Sequence, residues 1–285
     1  CLLQFDGLDT YATVYLNNIK VLEANNMFRT WKVNVKKLLK LGSNELKIVF
    51  TSSVNKAKEE AKKLPYTLPG DEKVFVRKAQ YQFGWDWGPR FVTAGIWKPV
   101  KLLFWNDAQI VSFRFEQKEL NSNVAKLNFK CNITTQKAGE YVVQLDKKPF
   151  RFQLKRGSNE VDIPVEISNP ILWWCNGLGV PHQYQFLFSL QKNNAKLDER
   201  TIKVGLRTIE LVQEKDNIGT SFYFKLNGVP VFMKGANYIP TDSFLPRVTT
   251  TTYKSVVQNA VDANMNMLRV WGGGVYADDA FYEEC

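Results

Sequence analysis

Apolar and polar residues alternate over much of the first 212 positions, the period of a strand with one face buried. Glu45-Leu46-Lys47-Ile48-Val49-Phe50 shows it, as do Ala125 through Ile133, Tyr141 through Leu145 and Gln183 through Leu190. Asn17-Asn18 separates Thr13–Leu16 from Ile19–Leu22 and predicts a two-residue hairpin turn, because asparagine tolerates positive φ. After a Lys/Glu-rich excursion the pattern returns at Lys98–Trp105. Many short strands with turn signals between them predict β-sandwiches: a sandwich or jelly roll over 1–107, and a small immunoglobulin-like sandwich over 108–212.

The pattern changes from residue 213 onward. Asn227-Gly228 predicts a hairpin between Phe222–Leu226 and Val229–Phe232. An apolar segment, Phe232–Tyr238, leads to a helical pattern over Tyr253–Asn264, with Val256, Val257, Ala260 and Val261 on one face and Thr250–Thr252 placed to cap it. Met265–Trp271 then reads as a second, buried strand. Asp278–Glu284 reads as a further helix with Asp278 and Asp279 as favourable charge at its start. Strand, helix, strand, helix predicts an α/β unit with parallel strands over 213–285.

Composition narrows the classes. With 285 residues, 45% hydrophobic and 23% charged, the chain has enough apolar surface for two or three cores and is no disordered polymer. A charge of +10 raises nucleic acid as a partner, but the basic residues are scattered. The densest run, Lys56–Lys63, is interleaved with Glu59 and Glu60 and reads as a solvated helical face. Neither a nucleic-acid nor a membrane partner is expected, since no apolar run reaches the roughly 20 residues of a membrane-spanning helix. Four cysteines fit no zinc spacing, and a lone histidine, His182, supports neither a His-based triad nor a multi-His metal site. No metal and no cofactor is expected. Asn132-Ile133-Thr134 is a glycosylation sequon with Asn132 as acceptor. The chain opens inside a strand and closes inside a helical pattern, so both ends are expected to be internal to a longer protein.

Three stretches carry candidate chemistry. In Phe83-Gly84-Trp85-Asp86-Trp87-Gly88-Pro89-Arg90 two indoles bracket a carboxylate, and sugar recognition needs both a flat apolar face and charged acceptors for hydroxyls. A core tryptophan pair with an aspartate capping a turn is the competing reading. Arg269-Val270-Trp271-Gly272-Gly273-Gly274 ends the second strand of the α/β segment, where such folds place their chemistry. Its glycines match neither phosphate-binding motif. Asn237 and Asp242 follow the first strand and could face the same place, or serve only as turn residues. Glu283 and Glu284 lie on a helix and are poor acid/base candidates.

These motifs resemble the β-mannosidases of glycoside hydrolase family 2. Val76 through Pro89 is similar to that group's Trp-Asp-Trp segment, and Gly95–Val100 to the strand closing the same domain. Leu172–Gly179 resembles its Trp-Trp-Pro-Asn-Gly segment, with Cys175 in the proline's place. Lys234–Pro240 and Leu268–Gly274 are similar to its first two barrel strands, with Tyr238 where tryptophan is common and Ala277 where an acid often follows. The resemblance implies a multidomain β plus α/β chain: a partial jelly-roll domain (1–107), an immunoglobulin-like sandwich (108–212) and the first two β/α units of a (β/α)8 barrel (213–285). It implies retaining exo-hydrolysis of terminal β-D-mannose from oligosaccharides and glycoproteins in the lysosome. Trp85, Asp86, Trp87 and Trp271 would contact the sugar, with Arg269 beneath and Asn237 and Asp242 near by. Both catalytic glutamates of that family sit on later barrel strands, beyond Cys285, so this stretch is expected to be inactive alone. A non-catalytic carbohydrate-binding module is the alternative.

Overall fold

The computed structural model describes residues 1–285, and the chain divides into two compact units. One comprises 1–104, 236–259 and 268–285; the other comprises 105–235 and 260–267.

In the first unit the strands are β1 (Leu2–Phe5), β2 (Leu8–Asp9), β3 (Tyr11–Leu16), β4 (Ile19–Asn25), β5 (Trp31–Asn34) and β6 (Leu46–Thr51), then helix α1 (Ser53–Ala61), β7 (Gly95–Ile96) and β8 (Val100–Leu103). They form the sheets β5-β1-β8 and β4-β3-β6 and the short pair β2-β7. Strand β3 buries Ala12, Val14 and Leu16 and turns Tyr11, Thr13 and Tyr15 outward, so its period of two decides which face meets Leu3, Phe5 and Leu8 in the core. Asn17 and Asn18 take φ of 51° and 66° and make the β3–β4 turn, both central residues positive as the turn requires. The Lys/Glu-rich excursion becomes α1, capped by Ser52 Oγ accepting from Asn55 N, with Lys56–Glu59 and Lys63–Glu60 ion pairs on its exposed side.

The second unit holds β9 (Ala108–Leu120), β10 (Val124–Thr135), β11 (Gly139–Leu145), β12 (Lys148–Leu154), β13 (Gly157–Ser168), β14 (Tyr184–Lys192) and β15 (Ala195–Val204). Sheets β13-β10-β9 and β12-β11-β14-β15 enclose one core. Phe129 on β10 is fully buried and meets Phe186 and Phe188 of β14 at ring distances of 4.9 and 5.0 Å. Each such side chain contributes about 1.5–3 kcal/mol by leaving water. Beyond this sandwich β16 (Ile209–Val212), β17 (Tyr223–Leu226) and β18 (Val229–Val231) form a small sheet, turning at Asn227-Gly228 as expected. His182 lies in the loop before β14, its ring edge-on to Tyr184 at 4.7 Å. Asn132 sits on the outward face of central strand β10, half-buried.

The last elements are β19 (Gly235–Tyr238), α2 (Thr250–Asp262), β20 (Met267–Val270) and α3 (Asp279–Glu284). Met267 N donates to Lys234 O and Trp271 N to Tyr238 O. The register advances in the same sense on both strands, so β19 and β20 run parallel with α2 as the crossover. Two expectations need correction. Helix α2 is capped by Thr249, whose Oγ1 accepts from Thr252 N; Thr250–Thr252 are already its first turn. Strand β20 is not buried: Met267 and Arg269 are exposed, because β19 is its one partner strand. Helix α3 begins as read from the sequence, with Asp278 Oδ1 accepting from Ala280 N.

Candidate functional site

The Trp-Asp-Trp segment closes into a tight turn. A 3₁₀ turn over Gln80–Phe83 buries Tyr81, Gln82 and Phe83, and the chain then doubles back at 85–88. Trp85 N donates to Gly88 O at 2.9 Å and Gly88 N returns the bond to Trp85 O at 3.2 Å. Asp86 stands at the exposed tip of this turn. It caps nothing, so its carboxylate is presented to solvent between two indoles. Trp87 packs inward on Tyr81, rings 5.2 Å apart, while Trp85 remains 39% exposed. Trp87 is core-like, as the competing reading had it, but Asp86 does not cap the turn; Trp85 and Asp86 are surface groups.

Trp271 follows β20 directly and lies edge-on to both, 5.0 Å from Trp85 at 73° and 5.9 Å from Trp87 at 78°. Edge-to-face contacts at this range are the favoured geometry of indoles. The turn that follows requires one glycine: a Cβ on Gly273 would stand 2.1 Å from Trp271 Cη2, so the indole lies flat over residue 273 because no side chain is there. Arg269, two residues earlier on the same face of β20, donates from Nη1 to Asn237 Oδ1 on β19 at 2.9 Å. Asp242 behaves differently. Its Oδ1 accepts from Phe244 N at 2.7 Å and from Arg247 Nη2 at 2.6 Å, the turn role that competed with a binding role in the sequence. The Arg247 hydrogen bond holds this carboxyl below the usual carboxylate range.

A pocket of about 430 Å³ opens elsewhere on this unit, but the one that includes Trp271 has about 400 Å³ and is walled by Phe28, Val270, Gly274, Val275 and Tyr276. That size suits a small ligand. Phe28 and Tyr276 were not picked out as wall residues from the sequence, and Lys73, whose Nζ sits 4.9 Å above the Trp85 ring outside that pocket, was not picked out either. The one signal for Phe28 is an apolar pair, Met27-Phe28, set among Asn25, Asn26 and Arg29. Tyr276 lines the same pocket and is 86% exposed.

Residues 1–98 match the family model described as the glycosyl hydrolase 2 galactose-binding domain-like domain, and residues 106–207 match that of the glycosyl hydrolases family 2. The chain belongs to glycoside hydrolase family 2. Within that family it aligns end to end with β-mannosidases. It is 36% identical over 299 residues to β-mannosidase B of Aspergillus oryzae, covering 100% of this chain and 35% of that protein. It is 36% identical over 308 residues to the β-mannosidase of Bos taurus, covering 99% and 35%. The crystal structure of the β-D-mannosidase from Dictyoglomus thermophilum superposes with a TM-score of 0.93 at 42% identity, over all of this chain and 36% of that one. The exo-chitosanase of Amycolatopsis orientalis shares the fold, with a TM-score of 0.77 at 21% identity. The chain therefore spans about 35% of the length of the curated relatives it matches.

Proposed function

We propose that this chain supplies the sugar-gripping wall of a retaining exo-β-mannosidase, acting on terminal β-D-mannose of oligosaccharides. One observation carries the reading: an unpaired carboxylate, Asp86, is held between Trp85 and Trp87 in a turn that touches Trp271. A pyranose has an apolar C–H face and a polar rim; the indoles suit the first and Asp86 accepts hydroxyl protons from the second. Arg269 and Asn237 hold each other beneath Trp271, and Asp242 acts at one remove by ordering the loop that follows β19. We read β19, α2, β20 and α3 as the first two units of a (β/α)8 barrel, since parallel strands with helical crossovers are its repeating element.

Retaining hydrolysis needs two carboxyl groups roughly 5–5.5 Å apart, one an acid/base and one a nucleophile. We assign neither role to a residue of this chain; family resemblance puts both on later barrel strands. The 285 residues are expected to bind methyl β-D-mannoside without hydrolysing it. Isothermal titration should show saturable binding that Trp271→Ala abolishes, and no nitrophenol should appear from nitrophenyl β-D-mannoside. Equal affinity for β-galactoside would sink the mannoside reading, and turnover would sink the division of labour. A lysosomal setting comes from the resemblance to animal β-mannosidases; fungal as well as bovine proteins are among the relatives, and the sequon fits any secretory route. On secretory expression in animal cells Asn132→Gln should remove a glycan detectable by mass.

A further inference from the structure

Between its bridge to Asn26 at Arg77 and the pairing of Gly95 with Asp9, the chain that carries Trp85, Asp86 and Trp87 joins no strand. Only short turns interrupt it. Side chains must therefore set where the turn sits, and three of them meet at its base. Lys78 and Thr93 lie fifteen positions apart, one on each side of the segment, and Lys78 Nζ donates to Thr93 O at 2.8 Å. The same ammonium donates to both oxygens of Asp9 on β2, at 2.6 Å to Oδ1. Thr93 Oγ1 donates to Asp9 Oδ2 at 2.7 Å and accepts from Gln82 Nε2 at 3.0 Å. The side chains of Lys78 and Asp9 are 0% and 3% exposed. Since the Thr93 proton is committed to Asp9, the Gln82 amide can turn only its NH₂ toward that hydroxyl, and Gln82 belongs to the 3₁₀ turn that leads straight into Trp85.

We propose that Lys78, Asp9 and Thr93 are positioning residues: a clasp that closes the base of the loop and holds Trp85, Asp86 and Trp87 in register with Trp271, and so governs how tightly the sugar is held. The sugar-holding part rests on the function proposed above; the positioning of the indoles does not. The clasp itself takes no part in chemistry. Its burial matters, since the same contacts in water would be too weak to hold a strandless loop. Removing one partner of a buried ion pair leaves a bare charge and unfolds more than the loop, so single charge variants are uninformative. Thr93→Val keeps the Lys78–Asp9 pair and the side-chain shape while freeing Gln82. The double variant Asp9→Asn, Lys78→Met removes both charges together.

Two readouts on the full chain test this. Coupled indoles at the observed angles give a signed circular-dichroism couplet, isolated as the difference between the native chain and Trp271→Ala. Thr93→Val, measured well below its melting temperature, should lose most of that couplet and bind methyl β-D-mannoside about tenfold more weakly. The double variant should behave likewise. A merely structural role would lower the melting temperature and leave couplet and affinity at native values, and that result overturns the proposal. If the native chain binds no mannoside, the sugar reading fails, and the couplet alone then decides for or against the clasp.

Discussion

At the scale of the residue, Trp271 is where the tryptophans of the site meet. It touches Trp85 and Trp87, walls a 400 Å³ pocket and covers Gly273. Gly273→Ala puts a methyl group 2.1 Å from the ring, so either the indole or the turn must move, at about 1–3 kcal/mol. We expect a small loss of stability and a larger loss of mannoside affinity; unchanged affinity by titration would remove Trp271 from the site. Asp242 allows a test by pH. Its carboxyl is lowered from 3.8, first through the Arg247 hydrogen bond. A lowered carboxyl contributes stability that is complete above its unfolded value and disappears as pH falls through the folded one. Native chain and Asp242→Asn should thus differ in stability at neutral pH and converge only once pH has fallen through the folded carboxyl's lowered value, in acid titrations followed by fluorescence; a gap that persists to the lowest pH refutes the pairing. Trp85, Asp86, Trp87, Arg269 and Trp271 could be picked out in the sequence because each lies in a short, compositionally odd run. Phe28 and Lys73 could not, because what brings them to the indoles is the path of the fold between them.

Elements were legible where one physical signal dominates. Alternation placed β6, β10, β11 and β14, since each has one face on a core, and the Asn-Asn and Asn-Gly turns placed two hairpins, β3–β4 among them, through their positive φ. The signal failed for β20, where an apolar run predicted burial but a single partner strand leaves alternate residues in water. It also missed the cap of α2 by one residue, because four threonines in a row, Thr249 to Thr252, offer equivalent hydroxyls and only geometry selects Thr249. Parallel pairing of β19 and β20 depends on Gly235. A Cβ there would lie 1.9 Å from the Met267 carbonyl oxygen, and a backbone atom cannot swing aside. Gly235→Ala should cost about 2–3 kcal/mol in urea unfolding. Gly272→Ala meets nothing within 4 Å and should be close to neutral. Equal effects from the two substitutions would mean that the strands do not approach as closely as this.

Across the whole molecule stability is unevenly distributed, and the site lies at the weak end. The amide of Phe129 belongs to a strand paired on both sides, with buried neighbours Leu127, Cys131 and Ile133. The amide of Trp271 is held by one bond to Tyr238 O at the end of a two-stranded sheet, and sheets of two strands are marginal without added cover. Exposed rings at Tyr276 and Phe232, the latter 83% accessible, mark the same part of the sequence as short of packing. Hydrogen exchange should therefore run about a hundredfold faster or more at Trp271 than at Phe129, since local opening there bypasses global unfolding. Ligand makes the decisive comparison. A sugar seated on the indoles binds the closed form only, so methyl β-D-mannoside at about 100 times its dissociation constant should slow exchange at Trp271 by about 100-fold. Phe129 should slow only so far as its exchange proceeds through an unfolding that also opens the site. Protection at Phe129 without protection at Trp271 would place the ligand on the sandwich instead, and would separate the indole cluster from sugar binding altogether.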